Sequence, residues 1–166
     1  MALEEVRIVE AQLTNPEHAQ AIAAMTSAYA EDAMGNGRPL PKDVLDRLVP
    51  ALRAHPTTIV FLAYEADRAV GIATCFLGFS TFAAKPLINV HDLAVLPEHR
   101  GRGIGKLLLA AVEKKARSSG CVKITLEVQE NNSRARRVYE GAGFSQAMYG
   151  PGTGGSLFYT KPLSHT

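Results

Sequence analysis

Apolar residues recur along this chain with two spacings, one close to 3.6 and one close to 2, and their order predicts the elements. Residues 6–10 read as a first strand. Thr14 or Asn15 can cap a helix with Pro16 near its first turn and Gly35 near its end. Ile22, Met25, Ala28 and Tyr29 then share one face. A second helical pattern follows Pro39-Leu40-Pro41, with Val44, Leu45, Leu48 and Leu52 apolar, and Pro50 is expected to kink or interrupt it. Residues 57–64 and 69–79 are β-prone runs separated by Glu65-Ala66-Asp67-Arg68, which predicts a hairpin. A further apolar run over 87–95 is interrupted by Asn89, His91 and Asp92.

The period then returns to that of a helix over residues 103–119, with Ile104, Leu107, Leu108, Ala111, Val112 and Ala116 as its core stripe. Lys114, Lys115 and Arg117 lie toward its end, where positive charge is favoured, and Gly120 can terminate it. Residues 122–129 alternate cleanly, with Val122, Ile124, Leu126 and Val128 on one side. A short helix runs from Asn132 to about Glu140 and is stopped by Gly141 and Gly143. Residues 144–149 and 157–161 read as a closing pair of strands joined by a glycine-rich loop. The strand–helix–strand unit over 87–129 requires a parallel crossover, while the hairpins require antiparallel pairing. The expected architecture is a single α/β domain over residues 1–166: a mixed, mostly antiparallel sheet of about seven strands, with one parallel crossover pair and helices on both faces.

Composition narrows the class. A charged fraction of 20% and a hydrophobic fraction of 46% are those of an ordinary globular protein, and a net charge of +2 argues against a nucleic-acid partner. No apolar stretch is long enough to span a bilayer, and no signal peptide is visible, so a cytoplasmic protein is expected. Cys75 and Cys121 sit in apolar strand patterns and read as core thiols, and the five histidines show no metal-ligand spacing. The basic residues cluster locally, with Arg100, Arg102 and Lys106 around Gly101, Gly103 and Gly105. Glycines at the start of a helix free main-chain N–H groups at its positive end, which suits an anionic phosphate ester. A dinucleotide-binding GxGxxG would need glycine at Lys106, and a P-loop would need Gly at Arg100 and Ser or Thr at Leu107. Neither fits; what remains is Arg-x-x-Gly-x-Gly.

The segment from Val90 to Gly105, with His91-Asp92-Leu93-Ala94-Val95 leading into Arg100-Gly101-Arg102-Gly103-Ile104-Gly105, resembles the cofactor motif of the GNAT superfamily of N-acetyltransferases. Downstream, Leu126-Glu127-Val128, Asn132, Ala135, Tyr139 and Gly143-Phe144 are similar to that family's next strand and helix, so the resemblance covers nearly the whole chain. It implies acetyl-CoA as acyl donor and no metal. Amides of Gly101, Arg102, Gly103, Ile104 and Gly105 would cradle the diphosphate, with charge from Arg100, Arg102 and Lys106. The pantetheine arm would bond like an added strand to Leu93, Ala94 and Val95, one amide of which would stabilise the oxyanion. Asn132 would cap its helix and touch the cofactor, and Ala135 suits its close approach. A homodimer is a family-level expectation only.

Acyl transfer to an amine needs a neutral nucleophile and a protonated leaving thiolate. A lysine-like amine has a pKa of ~10.4, so neutralising it at pH 7 costs about 4–5 kcal/mol and calls for a base. Tyr139 matches the family's general acid, although a tyrosine that only packs on the cofactor would look the same. His91, Asp92 and Glu127 compete for the base. An ordinary imidazole titrates at ~6.5 and needs no tuning. Glu127 matches a glutamate used by some protein N-terminal acetyltransferases, and Asp92 equally suits an orienting role. Neighbouring strand residues face opposite sides, so His91 and Asp92 share the cleft only if a bulge intervenes. Phe79-Ser80-Thr81-Phe82 is similar to diamine acetyltransferases, but those carry two acidic residues in place of His91-Asp92, which weakens a polyamine assignment. Tyr29, Phe79 and Phe82 are candidate walls of the acceptor pocket. Arg134, Arg136 and Arg137 could assist phosphate binding or be a solvated face. The acceptor, a small-molecule or peptide amine, is not coded in any motif. A non-catalytic acyl-CoA-binding module on the same fold is the alternative; a phosphotransferase is disfavoured by the missing P-loop Ser or Thr.

Overall fold

The structure is a computed structural model that describes residues 5–163. Its elements are β1 (Val6–Glu10), α1 (Pro16–Glu31), α2 (Lys42–Ala54), β2 (Thr58–Glu65), β3 (Arg68–Ser80), β4 (Lys85–Val95), α3 (Ile104–Ser118), β5 (Ile124–Leu126) and α4 (Ser133–Gly141). The strands form one sheet in chain order, antiparallel from β1 to β4 and parallel between β4 and β5. The predicted crossover is therefore made by α3. The two-residue turn Ala66-Asp67 closes the β2–β3 hairpin, with Glu65 opposite Arg68.

Alternating side chains send each strand's apolar residues to two cores. On one face, Ile104, Leu108, Leu109, Val112 and Ala116 of α3 pack on Phe61, Ala63, Val70, Ala73, Cys75, Ile88 and Val90, with Val138 and Tyr139 of α4 and its C-cap Ala142 at the margin. On the other, Ile22 and Met25 of α1 pack on Val60, Leu62, Tyr64 and Ile72, with Val49 and Leu52 of α2 outside them. The predicted helices on both faces are observed.

Five expectations are corrected. The sheet has five strands, not about seven. Residues 144–149 and 157–161 do not pair with each other; the one isolated bridge there joins Met148 to Gly155, and beyond Phe144, which packs on the α3 core, Tyr149, Leu157, Phe158 and Tyr159 are all exposed. The alternating run 122–129 is strand over three residues only, since its parallel partner leaves it after the third rung. Helix α2 runs through Pro50; that position and Asp46, whose carbonyl loses its donor, face solvent, so water can replace the missing bond. The α3 stripe is rotated by one position from the one expected: Leu107 is 45% exposed and Leu109 is 3% exposed.

That rotation is measurable. Leu108→Ala should destabilise the protein by about 2–5 kcal/mol in urea unfolding, by lost transfer energy plus a cavity, whereas Leu107→Ala should change stability by less than about 0.5 kcal/mol. Equal effects would refute the observed facing of α3.

Candidate active site

Strands β4 and β5 share three rungs, Ile88 to Ile124, Asn89 to Thr125 and Val90 to Leu126. The Asn89 amide donates to the Thr125 hydroxyl at 3.1 Å and reinforces the middle rung. Beyond Val90 the two strands part. On its other edge β4 stays paired with β3 as far as Val95, but Thr74 faces Asp92 while Cys75 faces Val90, so His91 is an unpaired extra residue. This is the bulge that the His91-Asp92 pair required. The parting opens a cleft of about 800 Å³, with Leu93, Ala94 and Val95 on one wall and Glu127, Val128 and Gln129 on the other. The Val95 carbonyl accepts from Arg100 Nε at 3.0 Å. The strand edge at Leu93 and Ala94 faces no partner strand on this side.

The cleft ends at the glycine turn. A single 3-10 turn over Pro97–His99 leads to Gly101 and Gly103, with φ of 75° and 81°. A Cβ at either would meet no atom within 4 Å, so glycine is required there by the left-handed backbone rather than by space. Gly103 is the N-cap of α3 and gives no side-chain cap; the Leu107 N–H makes the first helical bond, to the Gly103 carbonyl at 3.1 Å. The amides of Ile104, Gly105 and Lys106 thus have no helical acceptor. Gly103, Ile104, Gly105 and Lys106 line the cleft.

The arginines are engaged elsewhere. The Arg102 guanidinium pairs with Glu65, and the Glu65 carboxylate also lies 3.1 Å from Nδ1 of buried His99. The Arg100 guanidinium pairs with Asp32, the residue that ends α1. Arg102 is not among the cleft-lining residues, whereas Arg100 is. The Arg100 hydrogen bond, with the Met34 amide behind it, holds the Asp32 carboxyl below its usual range, and Arg102 does the same for Glu65.

Helix α4 brings in the remaining candidates. Asn132 caps it, its side chain accepting from the Ala135 N–H at 3.1 Å, and both residues line the cleft. One turn beyond Ala135, Val138 and Tyr139 line it too. Burial pushes the Tyr139 phenol up to about 12, with the charges of Tyr29 and Asp92 adding to the rise. Tyr29, on the last turn of α1, is raised by burial and then by Asp92 and Asp32. Burial also raises the Asp92 carboxyl, against a lowering by His91. His91 and Glu127 are exposed cleft residues; Asp92 sits behind the wall, within electrostatic reach of both tyrosines. The ring of His91 packs edge-on to Phe76 at 5.6 Å. Arg134 and Arg137 line the cleft, and Arg136 turns away to the Glu130 carbonyl at 3.1 Å. Phe79 and Phe82 do not line it and are 62% and 97% exposed. Asp32, Met34, Gln129 and Phe158 line it without having been expected. Only the helix end near Asp32 had a local signal.

Among the described residues no group of three or more His, Cys, Asp or Glu could hold a metal, and no helix is long and apolar enough to cross a membrane.

A model of the Acetyltransferase (GNAT) family matches residues 22–144, and the chain belongs to that family. The uncharacterized N-acetyltransferase YhfO of Bacillus subtilis strain 168 is 29% identical over 89 residues, which are 54% of this chain and 60% of that protein. The matched segment thus spans less than two thirds of that relative's length. A solved structure titled as a probable acetyltransferase superimposes with a TM-score of 0.78 at 26% identity, over 96% of this chain and 99% of the other. AAC(6')-Iy, solved with the bisubstrate analog CoA-S-monomethyl-acetylneamine, shares the fold with a TM-score of 0.74 at 20% identity, over 96% and 99%.

The lowered carboxyls have a consequence for stability. A carboxyl held below its unfolded pKa stabilises the fold fully above that unfolded value, here 3.8 for Asp32, and the gain is lost as pH falls through the lower folded value. Urea stability should therefore fall as the pH drops below about 5, and Asp32→Asn should flatten part of that fall. An identical pH dependence in wild type and variant would refute the pairing.

Proposed function

We propose that this chain is an acetyl-CoA-dependent N-acetyltransferase that passes an acetyl group directly to a primary amine while both substrates are bound. The observation that carries this reading is the parting of β4 and β5 beside an uncapped α3. Its supports beyond geometry are the family membership and the CoA-containing title of one structural neighbour.

The donor set fits the donor molecule. Uncommitted amides of Ile104, Gly105 and Lys106 and the Lys106 ammonium favour a diphosphate at one end of the cleft. No carboxylate belongs to that turn. The unpaired edge at Leu93 and Ala94 offers main-chain partners to an extended amide-bearing arm, and one N–H there takes the charge that develops on the carbonyl oxygen. Acetyl-CoA, when bound, supplies the activated thioester.

Tyr139 is assigned as general acid. With its phenol at about 12 it stays protonated throughout the neutral range and can donate to the departing sulfur. His91 is assigned as the base, taking the proton of the attacking amine directly or through one water. It stands on the cleft wall, pushed out by the bulge, with Asp92 next to it. Glu127 stands at the mouth and is left as a residue that meets the acceptor. Tyr29 walls the acceptor side. The acceptor itself is an amine of small-molecule or peptide type. The two free thiols, Cys75 and Cys121, suit a reducing compartment such as the cytoplasm.

Millimolar acetyl-CoA should raise the melting temperature by mass action, and a panel of amines should reveal CoA release. No shift would overturn the assignment; a shift with no turnover on any amine would favour the non-catalytic module. Tyr139→Phe should lower kcat by about two orders of magnitude while leaving acetyl-CoA affinity intact. His91→Ala should cost a similar factor, and Glu127→Gln much less; the reverse order would move the base to Glu127. Activity should fall on the acid side as Asp92 takes up a proton, in a range above the ordinary aspartate value of 3.8. Asp92→Asn should reduce that acid-side loss without abolishing it, because the base is His91.

A further inference from the structure

The turn that follows α1 is fastened to the ends of both parting strands. Asp32 is its hub. Its carbonyl accepts from the N–H groups of Gly35 at 2.8 Å and Gly37 at 3.1 Å, which closes the turn on itself. One carboxylate oxygen accepts from the Met34 N–H at 2.9 Å. The other accepts from the Arg100 guanidinium, whose Nε holds the Val95 carbonyl at the end of β4. On the opposite side, the Met34 carbonyl accepts from Gln129 Nε2 at 3.1 Å, three residues after β5. A single compact turn therefore links the residues just beyond β4 to those just beyond β5, across the gap where the strands no longer bond to each other.

We propose that this turn is a brace that fixes the width of the cleft, with Asp32, Arg100 and Gln129 as positioning residues. In this assignment the Arg100 guanidinium does not bind phosphate. It acts through Asp32, holding the glycine turn that follows it in register with the β4 edge. The proposal rests on the reading of the cleft as an acetyl-CoA site.

The sign of one effect separates this assignment from its rivals. Asp32 is a negative charge on the wall of a site for an anion. By Coulomb attraction alone, Asp32→Asn should tighten binding of acetyl-CoA, the more so if it releases Arg100 to reach a phosphate. A brace demands the opposite, because the widened cleft no longer presents the glycine-turn amides and the β4 edge at matching distance.

Acetyl-CoA affinity is measured by titration calorimetry on the full chain, for wild type, Asp32→Asn, Arg100→Gln, the double variant, Gln129→Leu and Asp32→Glu. Each is held well below its own melting temperature, with the folded fraction checked by circular dichroism. Asp32→Asn and Arg100→Gln should each weaken binding by about threefold to thirtyfold, and the double variant should be no weaker than the worse single one, as for two parts of one link. Gln129→Leu should weaken binding in the same direction. Asp32→Glu, which keeps the carboxylate, should recover most of the loss, which a change in general stability would not explain. Asp32→Asn binding as tightly as wild type or tighter, or losses that multiply in the double variant, would overturn the brace and return Arg100 to direct phosphate contact. A wild type that binds no acetyl-CoA would overturn both the brace and the function on which it rests.

Discussion

The site depends on one interrupted ladder. A parallel pair of strands satisfies its main-chain groups rung by rung, and here the rungs stop at Val90 and Leu126 while β4 continues to Val95. Main-chain donors and acceptors do not stay unpartnered in a dry interior; each costs about 1–3 kcal/mol if left so. An edge of this kind must face water or a ligand that bonds as a strand does. The start of α3 poses the same demand, since Gly103 offers no side-chain cap. Two sets of unspent groups, one along a strand and one at a helix end, open on the same cleft. That coincidence, more than any single side chain, gives the cleft its suitability for a molecule with an amide-bearing arm and a diphosphate.

What keeps such an opening from collapsing is the packing on either side. Ile104, Leu108 and Val112 of α3 are fully buried or nearly so against β2, β3 and β4, which fixes the helix start relative to the sheet. Ile22 and Met25 hold α1 on the opposite face, so that Tyr29 and Asp32 reach the cleft from there. Charge is distributed to the same end. The two arginines of the glycine turn are paired with Asp32 and Glu65, residues from α1 and β2, and so join the turn to distant parts of the chain. Lys106, for which no ion pair is present among the described residues, lines the cleft together with Arg134 and Arg137. Hydrogen-bonded, partly buried pairs of this type contribute more to geometry than to net stability.

The reading of the acid and base follows from environments rather than residue types. Tyr139 lies between the α3–β4 core and the cleft, and burial, aided by Tyr29 and Asp92, makes its phenol a still weaker acid. Asp92 is adjacent in sequence to His91 yet on the inner side of the wall. The bulge places the exposed His91 on the cleft and leaves the half-buried Asp92 beside it.

Much of the architecture was legible in local pattern. Asn15 with Pro16, the Glu65-to-Arg68 turn, the crossover helix and the glycines at positive φ were all readable because each is set by neighbours within a few residues. The motif over residues 90–105 and the Asn132 to Phe144 spacing likewise placed the cleft. The pattern could not show that 122–129 would pair over only three residues, or that 144–149 and 157–161 would not pair with each other, because alternation records an amphipathic strand and not the presence of a partner. Nor could it show which arginines face a ligand. Arg100 meets Asp32 across 68 positions and Arg102 meets Glu65 across 37, and no spacing rule reaches that far. Local sequence thus determined where the chain turns, caps and crosses. The tertiary structure decided which strand edges stay open and which charges are already spent, because both depend on residues that only folding brings into contact.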